Sequence, residues 1–356
     1  MRKTFVLLFV VLNLMIIAVP QVQATGSLFE QCLQTPNGPG CQAGLPAAHY
    51  QMLMDEMLLN PEPNVRPLPT NEIEVARFAF RRLTNPGGTT IFNAPGGAPI
   101  GTVAPGFNYV TVQGSQDGYL QIDPGQWVLE SDTAVARPST FSGVLLDRES
   151  MEYPMAWVLI PSFPASYPGA EGDKSRPRLE RYTRVNIFET VEVDGWRWYL
   201  IGPESWIKQT SVAKILFIDK PAEIKGRWAA VDLYEQVLVA YDEETPVFAT
   251  LISSGLPQWA TNEGTFQTWT RIANGSMSGA EGQADFYSLQ NVPWTLYFDG
   301  SISLHGTYWH DGFGYRHSHG CVNMTLTDSY WFFQWTMDGG IEKPWVHVWA
   351  SGEYIE

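Results

Sequence analysis

The sequence predicts a mainly β protein, and three observations carry that prediction. Tyr109-Val-Thr-Val-Gln113 alternates apolar and polar residues, the period of a half-buried strand. Thr90-Ile-Phe-Asn-Ala-Pro-Gly-Gly97 reads as a strand running into a turn. Finally, Tyr119-Leu-Gln-Ile-Asp-Pro124-Gly-Gln-Trp127-Val aligns with Trp198-Tyr-Leu-Ile-Gly-Pro203-Glu-Ser-Trp206-Ile at a constant offset of 79 residues, since 206 − 127 = 203 − 124 = 79. With 44% hydrophobic and 13% aromatic residues, the 356-residue chain can fill packed cores and is long enough for two or three domains. Global disorder is excluded.

The elements follow in order. Residues 1–24 read as an export signal: Arg2 and Lys3 give the charged start, Phe5 to Val19 the apolar stretch, and Val22-Gln23-Ala24 the cleavage site. An uncleaved anchor is the alternative, because the apolar stretch is near the lower length for a membrane span. Residues 25–69 read as a linker or docking segment, Pro-rich over Asn60–Pro69, with a short helix over Ala47–Leu59. Residues 70–215 hold the repeat. Each copy ends like a small SH3-type barrel, which this region resembles; tandem SH3-like barrels would serve as a docking module or bind a polymer. Trp127 and Trp206 would then stack on sugar rings or fill the core. Residues 224–350 are β-rich over Trp228–Tyr241, Val247–Gly255, Phe286–Leu289 and Trp294–Ser301. The pattern then turns helical: Tyr330, Trp331, Phe333, Gln334 and Trp335 recur at helical spacing, with Thr325 or Thr327 as N-cap and Asp328 in the first turn.

The chemistry concentrates just before that helix. His305-Gly306-Thr307 precedes Ser318-His319-Gly320-Cys321-Val322-Asn323. A thiol is a strong nucleophile only as thiolate, and an adjacent imidazole can take its proton. Glycine beside it lets a carbonyl approach the backbone and face N–H groups. A helix N-terminus following closely would favour the thiolate. The competing readings are an inert buried cysteine and a zinc site drawn from His305, His310, His317, His319 and Cys321. The spacing fits no known zinc finger.

The longer pattern resembles the signature of the L,D-transpeptidase catalytic domain, the YkuD-like family: a histidine, a spacer, then Ser/Thr-His-Gly-Cys-aliphatic-Asn/Arg. Here the first histidine precedes the cysteine by 321 − 305 = 16 positions. The resemblance reaches back to about Lys225 and covers roughly the last 130 residues. Thr261-Asn262-Glu263-Gly264-Thr265-Phe266 stands where the family has Thr-Pro-x-Gly-x-Phe, with Asn262 in place of proline.

The resemblance implies Cys321 as nucleophile, His305 as general base, and the Gly306 carbonyl as the group that orients it. It implies that His319 shapes the site, while physical chemistry alone leaves His305 and His319 equivalent. The N–H groups of Gly320 and Cys321 are the oxyanion-hole candidates, and Ser318 and Asn323 would order the loop. Tyr308 and Trp309 would line the donor pocket, and Arg316 would anchor a substrate carboxylate. His49 and His347 carry no assigned role. The implied reaction is attack on the third stem residue of a peptidoglycan tetrapeptide, release of terminal D-alanine, and transfer to an amine, without cofactor or metal. Water as acceptor would make it an L,D-carboxypeptidase; a non-catalytic wall-binding protein is the other alternative.

Charge and cysteines bound the rest. The net charge of −15 excludes nucleic acid as a partner, which needs concentrated Lys and Arg, and leaves peptidoglycan stem peptides and glycan strands open. Three cysteines occur in all. Cys32 and Cys41 close a short loop and are natural disulfide partners, which leaves Cys321 reduced. Both staying free is the alternative.

Overall fold

The computed structural model describes residues 27–69, 71–147, 151–280, 282–283, 285–338 and 343–353. The export signal expected over 1–24 lies outside them. The chain divides into two compact units, Met1–Tyr50 and Gln51–Glu356.

In the first unit a helix spans Leu28–Gln34. Ser27 and Glu30 close it reciprocally, each side chain accepting the other's backbone N–H. Cys32 and Cys41 form a disulfide. The expected helix over Ala47–Leu59 is present, and the boundary between the two units, after Tyr50, falls within it. No helix among the described residues is long and apolar enough to cross a membrane.

In the second unit the β prediction holds, but among the described residues no sheet closes into a barrel. That corrects the expectation of tandem SH3-like barrels. The repeat itself is real in three dimensions. Strand Gln126–Leu129, 3-10 turn Glu130–Asp132 and strand Thr133–Val135 recur as Ser205–Lys208, Gln209–Ser211 and Val212–Lys214, again 79 residues on. What opens each copy is where its strands go. Thr133–Val135, Ala79–Leu83 and Phe107–Val112 of the first copy belong to a seven-stranded sheet, in which Phe107–Val112 runs parallel to Tyr287–Asp299. Trp206 is fully buried, whereas Trp127 is half-buried. The second copy forms two separate three-stranded sheets.

Two seven-stranded sheets form the body around the motif. One holds Arg227–Asp232, Val237–Asp242 and Thr245–Leu251 with Gly264–Gln267 and Trp345–Trp349 at one edge. The other runs through Tyr287–Asp299 and Ile302–Gly306 to Val322–Met324, the last two parallel, so that His305 lies opposite Asn323. Helix Leu326–Asp338 packs on this second sheet through Phe332 and Phe333. Thr325 is its N-cap: its hydroxyl accepts the Asp328 N–H. Asp328 does more than sit in the first turn. Fully buried, it accepts from the Gly143 N–H at 2.8 Å and the Thr250 hydroxyl at 2.6 Å, and burial pushes its carboxyl up to about 6.

Candidate active site

Period-two geometry decides what the Ile302–Gly306 strand presents. Residues two apart share a face, so Ser303 and His305 point the same way. The parallel partner strand begins one residue after Cys321 and places Asn323 beside His305. His305, Cys321 and Asn323 line one cavity of about 380 Å³. Ser303 Oγ lies 3.6 Å from Cys321 Sγ. Ser303 was missed in the sequence; its position two before His305 on a strand was the available signal.

His305 is buried, and burial pushes its imidazole down to about 4. Its Nδ1 lies 3.1 Å from the Gly306 carbonyl. A neutral ring there donates Nδ1–H to Gly306, which leaves Nε2 with its lone pair. The Cys321 thiol is also raised by burial, with hydrogen bonding from Ser303 drawing it partly back. The expected lowering by the helix is not seen. Leu326 starts the helix five positions beyond Cys321, and the dipole acts only over the first turn. Both shifts favour thiol with neutral imidazole over the ion pair.

The Ser318–Cys321 loop is irregular and is held by long-range bonds. The His317 and Ser318 N–H groups both donate to Ser254 O, and Leu256 N–H donates to Ser318 O. Gly320 has φ +111°, a conformation side chains rarely adopt. Its carbonyl accepts from Thr261 Oγ1 at 2.7 Å, and that hydroxyl in turn accepts the Gly255 N–H. Gly255 admits no side chain: a Cβ there would meet Trp259 O at 2.0 Å. Asn262, in place of the turn proline, is tied instead to Asp299 at 2.8 Å.

Several expected roles change. The Gly320 N–H is already donated to Ser318 Oγ at 3.1 Å, so as an oxyanion donor it is occupied. Ser318 also bonds the Cys321 carbonyl. Tyr308 does not line the cavity: it is fully buried, stacked on Phe80 at 3.6 Å, with its hydroxyl on Gln290 O. Trp309 does line it, its ring 5.6 Å from that of His305. Arg316 lines a separate cavity with Glu235, Tyr234 and Trp196. His319 also lines the cavity, its ring 3.9 Å from Trp259 and Nε2 3.4 Å from Asp285. Arg82, Gly106 and Phe107, from the first repeat, complete the wall. Nothing local in the sequence marks them. Among the described residues no group of three or more His, Cys, Asp or Glu side chains is placed to hold a metal ion.

Thiol, base and glycine-bearing loop supply the parts of acyl transfer. Residues 226–348 match the family model of the L,D-transpeptidase catalytic domain, YkuD. No curated protein matches the chain. Among solved structures, an L,D-transpeptidase from Stackebrandtia nassauensis shares 23% identity over 38% of this chain and 61% of its own, with a TM-score of 0.30. A mutant Enterococcus faecium L,D-transpeptidase shares 26% over 35% of this chain and 50% of its own, TM-score 0.31. An L,D-transpeptidase from Mycobacterium smegmatis shares 18% over 61% of this chain and 89% of its own, TM-score 0.32. The chain thus spans 61% and 50% of the first two, less than two-thirds of either.

Proposed function

We propose that this chain, whose residues 226–348 carry an L,D-transpeptidase catalytic domain, is an exported enzyme that cross-links peptidoglycan stems through a thioester on Cys321. One observation carries the reading. Cys321 and a neutral His305 line one cavity, and His305 is held by the Gly306 carbonyl so that Nε2 remains the basic nitrogen. A backbone carbonyl thus does the work of the acid in a Ser-His-Asp triad. The Cys32–Cys41 disulfide supports an oxidising compartment.

The steps follow from the resting protonation state. His305 Nε2 takes the Cys321 proton as the sulfur attacks the carbonyl of the third stem residue. The tetrahedral oxyanion faces the Cys321 N–H, the Gly320 N–H being engaged by Ser318. The C–N bond to the terminal D-alanine breaks, and Nε2–H protonates the departing amine. An amine from a second stem then attacks the thioester. His305 takes its proton, and the sulfur leaves as thiol when that proton returns.

The test is mass spectrometry of the full chain mixed with disaccharide-tetrapeptide muropeptides, beside Cys321→Ala. Loss of D-alanine, an adduct on Cys321 and cross-linked dimers, all absent from the variant, is the expected result. Tripeptide without dimers would assign a carboxypeptidase. Absence of any adduct or product would sink the enzymatic reading.

A further inference from the structure

The segment between the two motif halves, residues 307–317, supplies two residues that line the Cys321 cavity, Trp309 and His317. It contains no helix or strand, so its shape is set by what its backbone and side chains touch. The catalytic domain holds part of it. Ser253 Oγ donates to Gly312 O at 3.0 Å, Gly314 N–H donates to Ile252 O, and His317 N–H donates to Ser254 O. The remaining anchors come from residues 70–215, outside the matched domain. At the start, Tyr308 stacks on Phe80 and the Tyr109 hydroxyl donates to Trp309 O at 3.3 Å. Five positions after Tyr308, Phe313 is fully buried in a core it shares with Phe141, Trp157 and Leu159.

Two adjacent side chains grip the segment around that plug. Arg181 Nη2 donates to the Phe313 carbonyl at 2.9 Å, and its guanidinium lies 4.5 Å from the ring centre of Tyr182 and 5.8 Å from that of Tyr315. The Tyr182 hydroxyl donates to Asp311 at both its carbonyl, 3.0 Å, and its carboxylate, 2.9 Å. The Ser139 hydroxyl donates to the same carboxylate oxygen. Burial first, and then the Asp311 bond, raise the Tyr182 phenol, so it stays protonated and a donor. Neighbours in an extended chain send their side chains to opposite faces. The break from that pattern is at Tyr182, whose φ of +69° is left-handed backbone that a bulky residue keeps only where its surroundings hold it. Tyr182 N–H donates to Val158 O at 2.7 Å, and Val158 N–H donates to Thr183 O at 2.8 Å.

We propose that Arg181 and Tyr182 are positioning residues: by holding Asp311 and Phe313 they fix the segment that carries Trp309 and His317, and so shape the cavity wall against which the acyl donor lies. The second copy of the repeat is then part of the scaffold of the substrate site. That the wall receives a stem peptide rests on the transpeptidase reading; the anchoring of the segment does not.

Three measurements on the full chain test this, in Tyr182→Phe, which removes only a hydroxyl, and in Arg181→Ala beside the conservative Arg181→Lys. Hydrogen exchange reads the anchoring without any substrate. The Gly314 and His317 amides should exchange about tenfold faster in Tyr182→Phe and Arg181→Ala, with Arg181→Lys close to wild type and the Arg227–Asp232 strand unchanged. Unchanged protection of both amides in both variants would overturn the proposal. Alkylation of Cys321 by iodoacetamide needs the thiol and its base but not the wall, and should keep its wild-type rate. Acylation by a disaccharide-tetrapeptide should show KM raised about tenfold with kcat less affected. Equal losses in alkylation and acylation would mean a general loss of structure and overturn the positioning role, as would a wild-type KM in both variants. A wild-type chain that leaves the muropeptide untouched would sink the transpeptidase reading alone, and hydrogen exchange would still decide the anchoring.

Discussion

The two halves of the site are built in different ways. The Ile302–Gly306 strand lies inside a sheet, and its own geometry aims Ser303 and His305. The Ser318–Cys321 loop has no such geometry. Its shape comes from Ser254, Leu256 and Thr261, residues more than fifty positions away in the chain. A side chain on a strand is placed by local period, whereas one on a loop is placed by whatever the fold brings to its backbone groups. The strand half should therefore respond to substitution residue by residue, and the loop half through its distant anchors.

The largest effects should fall on the reacting pair. Cys321→Ala should lower cross-linking by about 10⁴-fold or more, because the covalent route is lost. His305→Gln should cost about 10²–10⁴-fold with the fold intact, read by single-turnover acylation. If His319→Gln costs as much as His305→Gln, the assignment of base to the strand half fails.

The pH profile sharpens the same contrast. Burial lowers His305 to about 4 and raises the Cys321 thiol above its ordinary value. The base is active when unprotonated, so acylation should fall only as pH drops toward about 4. If a freely formed thiolate were the attacking species, the rate would instead rise with pH toward the raised value of the Cys321 thiol. A rate flat from pH 6 to 8 is expected; a steady rise through that range would show that thiolate formation limits.

Thr261→Val tests the loop half at a distance. It removes the hydroxyl bridging the Gly320 carbonyl and the Gly255 N–H, two buried hydrogen bonds. Acylation should fall about tenfold or more, and the chain should lose about 1–3 kcal/mol against urea. Wild-type acylation in a destabilised variant would show the loop holding its shape without that anchor. The smallest effect should be Ser303→Ala. One weak contact at 3.6 Å is removed, and the thiol should titrate slightly higher, with acylation reduced about threefold.

Much of the site was legible because its residues are contiguous. Six motif residues and His305 read directly from the chain, and the helix after them announced itself by spacing and by Thr325. Less legible was anything assembled across the fold. Tyr308 next to the motif is a core residue, because Phe80 from a distant strand stacks on it. Arg316 serves another cavity. Arg82 and Phe107 wall the site because Phe107–Val112 pairs beside Tyr287–Asp299, a parallel pairing with no local signature. The barrels failed for the same reason. Turn–strand patterns of the 79-residue repeat were correct, yet Phe107–Val112 of the first copy pairs outside it, with Tyr287–Asp299.

The sequence by itself determined the β class, the repeat, the Ala47–Leu59 helix and the contiguity of the Ser318–Asn323 motif. These rest on short-range chemistry: period, capping and residue type. Only the tertiary structure decided the burial of His305, the engagement of Gly320 by Ser318, and the pairing of Phe107–Val112 with the sheet that holds His305. Each depends on burial or on a backbone bond between residues far apart, and neither is encoded at one position.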